Sequence, residues 1–353
     1  MARMNVPVTD PFDAGSDPEL PTLAAALDPV AVQKQFGRRL PRLAGDQGMV
    51  SLRAIRVTRH KPGRRCVVEY DVRVQRPGAW PQTLTLVGKM RARRFGNADY
   101  RLLDAVWNAG FQSECPDGVS VPEPIGVVPK FRLWLQRKVP GETSSAALFK
   151  PEGVALARRI AEAIHKLHRA GVPTRRCHTV NDELRILHEC VPLVARAGRE
   201  WATRLARILA ACDRLGASLP EPRACGIHRD FYSAQVIVDK ARLWLLDFDL
   251  YCLGDPALDM GNFIGHLTEQ GLRTCGNAAA LADREKAMED RFVELAGQAT
   301  RAAVQAYTTL TLVRHIYLST RCPDRAPLTW RLIELCEQRL GLARVSVDSL
   351  VLP

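Results

Sequence analysis

The sequence predicts an α+β protein in which a small, strand-rich part precedes a larger, mainly helical one. Between residues 52 and 90, short segments alternate apolar and polar residues and are separated by turns such as KPGRR, which is typical of antiparallel strands. After Pro140 and Gly141, apolar residues recur at helical spacing, for example over residues 153–170. The chain has 353 residues, more than most single domains, and this length favours two lobes.

These patterns divide the chain into three segments. Residues 1–28 are rich in Pro and Asp and are predicted to be a loosely structured N-terminal segment. Residues 29–138 should form an N-lobe made of a β-sheet and one helix, the latter at about 97–109. Residues 139–353 should form a C-lobe, in which short strands between residues 224 and 250 interrupt the helices.

The composition is that of an ordinary soluble globular protein, with 46% hydrophobic and 25% charged residues. The ten cysteines show no C-x-x-C pair and no zinc-type spacing, so we expect them to be reduced. The N-terminus lacks the profile of a signal peptide, and no uncharged run approaches the roughly 18 residues of a membrane span. We therefore expect a cytoplasmic protein with no membrane partner.

The net charge of +12 is concentrated in one part of the chain, because residues 53–103 contain 13 Lys and Arg but only 3 Asp and Glu. Such a segment could bind nucleic acid. No helix-turn-helix, zinc-finger or RNA-binding aromatic motif accompanies it, so nucleic acid is not expected as a partner. A solvated basic face and a face that attracts phosphate both remain open.

The residues that indicate chemistry lie in the segment 226–263. It contains HRD at 228–230, Gln235 five positions after the aspartate, and DFD at 247–249. Phosphoryl transfer needs a carboxylate that orients and deprotonates the acceptor hydroxyl, and Asp230 suits this task. It also needs metal ligands, and the oxygens of Gln235 and Asp247 are of the type that Mg²⁺ prefers.

This segment resembles the aminoglycoside phosphotransferase and choline-kinase-like family, through H-x-D-x-x-x-x-N (here ending in Gln), a hydrophobic-D-F-acid block and G-D-P-x-x-D. The resemblance implies a bilobal protein-kinase-like fold, with ATP and Mg²⁺ as cofactors. It implies that Asp230 is the catalytic base and that Gln235 and Asp247 bind the metal. Asp259 should brace the catalytic loop, and the remaining candidates are expected to have structural roles: His228 and Asp249.

The same resemblance implies that the N-lobe binds the nucleotide. Lys89 ends a predicted strand, the place from which the lysine of this family reaches the α- and β-phosphates. Arg64 and Arg65 follow Gly63 in a hairpin that should lie over the triphosphate, and a guanidinium suits phosphate geometry. This hairpin is not glycine-rich, but that branch of the superfamily often lacks the glycine-rich loop.

The hinge between the lobes is predicted from position alone. An extended backbone there would offer adenine one acceptor and one donor. The candidate hinge residues are Gln136, Lys138 and Val139.

Two departures from the family pattern leave an alternative open. The helix at 97–109 contains no Glu to pair with Lys89, and its acids are Asp99 and Asp104. Gln235 stands where Asn is usual, and its side chain is longer. A catalytically degenerate, kinase-like nucleotide-binding or scaffold protein therefore remains the alternative to an active enzyme.

The acceptor is expected to be a hydroxyl of a small molecule. Gly254 follows Asp249 after only four residues, which leaves no room for the long activation segment of protein kinases. By the resemblance, helices at about 260–345 should form the acceptor pocket. The nearly neutral C-lobe weighs against polycationic aminoglycosides, since these favour an acidic cleft. A sugar, an amino alcohol, a nucleoside or another antibiotic hydroxyl remains possible.

Overall fold

The computed structural model describes residues 6–45, 47–92, 97–196 and 198–342. The chain divides into two compact units, the first formed by residues 1–141 with 239–246 and the second by residues 142–238 with 247–353. The strands are β1 (Val8–Thr9), β2 (Met49–Lys61), β3 (Arg65–Gln75), β4 (Gln82–Arg91), β5 (Val119–Ser120), β6 (Pro124–Val128), β7 (Leu133–Arg137), β8 (Glu142–Thr143), β9 (Cys225–Ile227), β10 (Val236–Asp239), β11 (Arg242–Leu245) and β12 (Cys252–Gly254). The α-helices are α1 (Leu23–Leu27), α2 (Pro29–Arg39), α3 (Pro41–Ala44), α4 (Ala98–Asn108), α5 (Ser144–Ala147), α6 (Gly153–Arg169), α7 (Val180–Cys190), α8 (Ala202–Ala217), α9 (Pro256–Cys275), α10 (Ala282–Ala296), α11 (Arg301–Thr320) and α12 (Thr329–Arg339).

The first unit is built on a six-stranded sheet with the order β1-β2-β3-β4-β7-β6. Strands β2, β3 and β4 form an antiparallel meander, as the alternating sequence pattern predicts. The fully buried Tyr70 of β3 donates a hydrogen bond to the carbonyl of Ala26 (3.0 Å) and meets the ring of Phe36 edge-on. Its contacts hold the sheet to α1 and α2. The mixed α+β character predicted for this region is confirmed, but α2 and α3 are present in addition to the one helix that was expected.

The N-terminal segment is more ordered than its composition suggested. Val8 pairs in parallel with Ile55 of β2, and Leu20, Leu23 and Ala26 are buried in the core of the first unit. The Pro and Asp content misled the expectation of a loose segment, because a few apolar residues suffice to dock it on the sheet. Residues 1–5, also part of that expectation, lie outside the described residues.

The second unit is mainly helical, and short strand pairs frame its central loop. Strand β9 pairs with β12, and β10 pairs with β8, both antiparallel. The loop between β9 and β10, residues 228–235, is therefore fixed at both ends. Among the described residues, no helix is long and apolar enough to cross a membrane.

Two glycines of α9 let this helix approach α11 closely. A Cβ at Gly261 would lie 2.5 Å from Cβ of Tyr307 and 2.7 Å from the carbonyl oxygen of Val304, and a Cβ at Gly265 would lie 2.7 Å from the methyl carbon of Thr311. Such distances are too short for a side chain, so the spacing of the two helices depends on glycine.

We expect Gly261→Ala to lower the free energy of unfolding by about 1–3 kcal/mol, because overpacking outweighs the better helix propensity of alanine. Gly271→Ala in the same helix is the matched control, since its Cβ would approach no atom closer than 3.3 Å. Denaturant unfolding of both variants measures the difference. Equal stability of the two variants would contradict the close packing of α9 and α11.

Candidate active site

The loop that follows β9 brings two backbone amides toward one carboxylate. Arg229 has a left-handed backbone (φ 70°), an uncommon conformation for a residue other than glycine. The amide of His228 donates to Oδ2 of Asp259 (2.8 Å), and the amide of Arg229 donates to Oδ1 (2.6 Å). The turn before Asp230 is therefore held by both oxygens of a single side chain.

Asp259 itself lies in the first turn of α9 and is fully buried. Its Oδ2 also contacts Nε2 of His168 on α6 at 2.9 Å. A buried carboxylate needs such partners, because desolvation of its charge is otherwise costly. Asp259 therefore links the loop to α6. The sequence did not indicate that His168 would be its partner.

Asp230 interacts with both Gln235 and Asp247 in the second unit. Burial raises the pKa of Asp230; the charges of His228 and Arg314 and a hydrogen bond from the side chain of Gln235 oppose this rise, and the nearby carboxylate of Asp247 adds to it. The pKa of Asp230 is raised overall. The structure therefore brings together the three residues that the sequence singled out for catalysis and metal binding.

The chemistry of this set fits a divalent cation. Asp247 has a left-handed backbone (φ 62°) immediately before a short 3₁₀ helix, and Gln235 is buried at the end of another. Two carboxylates repel each other here, and a cation would relieve that repulsion. The described residues contain no group of three or more His, Cys, Asp or Glu suited to hold a metal.

His228 and Asp249, for which structural roles are expected, both contact neighbouring residues. The ring of His228 is fully buried, 5.1 Å from the ring of Phe248 and 5.7 Å from that of Phe231. The carbonyl oxygen of Asp249 accepts a hydrogen bond from Arg176 (2.7 Å). The packing of His228 holds the loop and the DFD segment together.

In the first unit, the β2–β3 hairpin has a strongly basic tip. Arg64 and Arg65 lie at the turn, where Gly63 has a φ of +65°. The pKa of Lys61 is lowered, chiefly by the charge of Arg65 and then by burial, with further contributions from neighbouring arginines. Cations crowded in this way suit an anionic ligand.

The tip is anchored to the N-terminal segment by a contact that the sequence did not indicate. Oδ2 of Asp17 accepts a hydrogen bond from the amide of Gly63 (2.9 Å) and contacts Nε2 of His60 (2.8 Å). The pKa of Asp17 is lowered, because these contacts outweigh the opposing effect of burial. The N-terminal segment therefore fixes the shape of the hairpin turn.

Lys89 lies in β4 opposite Trp134, with its Nζ 5.1 Å from the centre of that ring. The two acids proposed as its partners on α4 contact arginines instead. Asp104 forms an ion pair with Arg42 (2.5 Å), and Asp99 lies 3.7 Å from Arg91.

The structure narrows the choice among the predicted hinge residues. Gln136 is buried in β7, which is flanked by β4 and β6. The amide of Lys138 donates to the carbonyl of Thr85 (2.9 Å), and its Nζ binds Glu69 (2.7 Å). These contacts argue against Gln136 and Lys138 as donors to a nucleotide. Among the described residues, the amide of Val139 has no backbone partner.

Sequence reasoning missed a second set of polar residues next to the loop. Nδ2 of Asn262 donates to the carbonyl of Phe231 (2.9 Å), and its Oδ1 accepts from Arg314 (2.5 Å). Arg314 also contacts Glu183 (3.1 Å). One feature of the sequence could have indicated this set. Arg314 is the one Lys or Arg between residues 302 and 320, in a helix that is otherwise largely buried.

Comparison with known proteins gives a consistent result. The profile of the family described as "Phosphotransferase enzyme family" matches residues 69–307. No curated protein sequence matches this chain significantly.

Among solved structures, a choline/ethanolamine kinase family protein from Mesorhizobium loti is 15% identical with a TM-score of 0.51, and covers 88% of this chain and 93% of its own. An amicoumacin kinase in complex with AMP-PNP, Ca²⁺ and Ami is 12% identical with a TM-score of 0.56, covering 80% and 88%. A thermostable aminoglycoside phosphotransferase mutant, crystallised with AMP-PNP and hygromycin B, is 16% identical with a TM-score of 0.55, covering 88% and 98%. At these identities the likeness concerns the fold, which is protein-kinase-like.

Proposed function

Because this chain belongs to the phosphotransferase enzyme family, we propose that it transfers the γ-phosphoryl group of ATP to a hydroxyl of a small molecule. The observation that carries the proposal is the grouping of Asp230, Gln235 and Asp247 around a loop that Asp259 holds in place. Phosphoryl transfer depends mainly on positioning and charge stabilisation, and this grouping supplies both.

We assign Asp230 as the general base. A base must be deprotonated and within reach of the acceptor hydroxyl, and its efficiency rises as its pKa approaches the working pH. Burial raises the pKa of Asp230 above that of an ordinary aspartate, and the charges of His228 and Arg314 limit the rise. The carboxylate is therefore more basic than that of an exposed aspartate.

We assign Gln235 and Asp247 as the residues that hold Mg²⁺. When bound, this ion would neutralise the negative charge of the phosphates. Gln235 also hydrogen-bonds Asp230, so the side chain that offers an oxygen to the metal helps to orient the base. The longer glutamine can thus replace the asparagine that is usual in the resembled family.

In the first unit, we propose that Lys89 and the basic tip at Arg64 and Arg65 contact the phosphates. Val139 is the proposed backbone donor to the base of the nucleotide, since the amide and ammonium groups of Lys138 have other partners. Two of the structural neighbours were crystallised with AMP-PNP, which supports a nucleotide as cosubstrate.

The test is thermal stabilisation by nucleotide, measured with ATP in the presence and absence of Mg²⁺. At about 100 times its dissociation constant, the nucleotide should stabilise the wild type by roughly 2.7 kcal/mol. We expect Asp247→Ala to lose the Mg²⁺-dependent part of this stabilisation. Asp213→Ala is the control, because the Asp213 side chain is 48% exposed and, among the described residues, its ion pair is with His188 at the surface.

The results of this test separate the proposed enzyme from its alternative. No stabilisation by ATP with Mg²⁺ would contradict the proposed function. Stabilisation without any ADP formation would favour the catalytically degenerate protein, for which the engagement of Asp104 with Arg42 is the supporting observation.

A further inference from the structure

Arg314 lies close to the proposed catalytic base and is held there by two contacts. Its guanidinium donates to Oδ1 of Asn262 (2.5 Å) and to Oε2 of Glu183 (3.1 Å). Asn262 in turn donates to the carbonyl of Phe231, the residue that follows Asp230. Arg314 is thus two hydrogen bonds from the catalytic loop, and its charge lowers the pKa of Asp230 against the larger effect of burial.

The Arg314 side chain retains the capacity to bind a ligand. A guanidinium carries five N–H groups, and the contacts to Asn262 and Glu183 engage two of them. No further hydrogen bond to this side chain occurs among the described residues. The side chain is 21% exposed, so it is partly desolvated and still accessible. A planar donor of this kind suits a carboxylate or phosphate.

A pair of histidines on α9 and α11 contacts the loop. Nε2 of His315 lies 3.2 Å from Nδ1 of His266, and the ring of Tyr232 stacks on His266 at 4.7 Å. Burial lowers the pKa of His315 to about 3, assisted first by the charge of Arg314. Burial is also the main cause that lowers the pKa of His266, and the charge of His315 is the second. Both imidazoles are therefore neutral at physiological pH.

Three arginines and the acids in contact with them lie near this pair. Three arginines lower the pKa of His315: Arg314, Arg325 and Arg273. The acids in contact with them are Glu269, which contacts Arg273 (3.2 Å) and Arg325 (3.9 Å), and Glu183, which contacts Arg314 and also His178 (2.6 Å). Three guanidinium groups thus contact two carboxylates, and Asp230 is a third acid that interacts with Arg314.

We propose that the phosphoryl acceptor carries an anionic group, a carboxylate or a phosphate, and that Arg314 binds this group beside Asp230. The inference rests on the proposed function, since it concerns the acceptor of the same site. An anion would accept hydrogen bonds from the N–H groups of Arg314 that Asn262 and Glu183 do not engage. A cationic acceptor, such as an amino alcohol or an aminoglycoside, would instead meet an arginine next to the base.

The experiment uses the full chain saturated with Mg²⁺ and AMP-PNP, so that the nucleotide occupies its own phosphate positions. Inorganic sulfate is the probe for the anionic group, and its binding is measured by calorimetry. The wild type should bind sulfate with a dissociation constant that Arg314→Gln raises at least tenfold. Arg314→Lys should bind with intermediate affinity, because it keeps the charge but loses the planar donor. Arg204→Gln is the matched control, a part-buried arginine paired with Glu337 elsewhere in the unit.

The possible results of this experiment distinguish failure of the Arg314 proposal from failure of the proposed function. Equal sulfate affinity of the wild type and Arg314→Gln, or no sulfate binding at all, would overturn the proposal. Sulfate that competes with AMP-PNP would also overturn it, because Arg314 would then bind the γ-phosphate. Should Arg314→Gln fail to fold, a loss of affinity in Arg314→Lys decides instead. Failure of AMP-PNP to bind would count against the proposed function, and sulfate titration of the nucleotide-free chain would still test Arg314.

Discussion

Replacing Asp230 with asparagine should lower turnover by about 10²–10⁴-fold, the range that general acid–base catalysis contributes. Asparagine retains the size of the side chain and its hydrogen bond with Gln235 but cannot accept the proton of an acceptor hydroxyl. Binding of ATP with Mg²⁺ should persist, since Asp247 and Gln235 remain. ADP formation by the purified variant, measured beside nucleotide-dependent thermal stabilisation, checks both statements.

The raised pKa of Asp230 gives this prediction an independent test. In the wild type, the acid limb of the pH profile of kcat/KM should lie above the usual aspartate value of about 3.9. This follows because burial, the largest cause, disfavours the charged form of the base. An acid limb at or below the ordinary value would contradict the assignment of Asp230 as a buried base.

At neutral pH, the Asp230→Asn substitution should lower activity without lowering thermal stability. The folded chain holds the proton of Asp230 more tightly than the unfolded chain, because its pKa is raised on folding. The contribution of this group to stability is therefore greatest at acidic pH and declines as the pH rises through the raised pKa. At neutral pH, Asp230→Asn should unfold at the same or a higher temperature than the wild type. A variant that loses both activity and stability would indicate a structural role for this carboxylate.

The sequence was informative wherever a pattern is local. Alternation predicted strands β2 to β4, and the motif around Asp230 indicated the family, which the comparison confirmed. Both signals depend on neighbours in the chain. The roles of the individual residues remain predictions.

The contacts that the sequence did not reveal join distant parts of the chain. Asp17 reaches the amide of Gly63, and Arg314 reaches Asn262, across 46 and 52 positions. The sequence pattern around a polar residue does not indicate which distant residue it will hydrogen-bond. Such pairs can be identified only in the folded structure. The expected partner of Lys89 on α4 is another example. Asp104 was a candidate from its position in the helix, but in the structure it pairs with Arg42.

Replacing Asp259 with asparagine should be the most damaging single change to the architecture of the site. The carboxylate accepts from the amides of His228 and Arg229 and contacts Nε2 of His168 while fully buried. An asparagine can offer only one acceptor oxygen, and its amino group would face a donor of the loop. An unsatisfied buried donor costs about 1–3 kcal/mol, and breaking a buried charged pair about 3–5 kcal/mol. We expect a loss of free energy of unfolding of about 3 kcal/mol, seen as a lower denaturant midpoint.

Asp255→Asn provides the matched control, because Asp255 is also buried and lies just before the same helix. Its carboxylate accepts from the amide of Ala257 as an N-cap, a position where asparagine serves as well as aspartate. Burial raises the pKa of Asp255, so the neutral amide removes an unfavourable charge. This control should therefore keep its stability and its turnover. The amides of His228 and Arg229 in the loop before Asp230 both donate to Asp259, so Asp259→Asn should also lose turnover under conditions where it is still folded. If both variants lost the same stability, the effect would belong to the start of α9 and not to the catalytic loop.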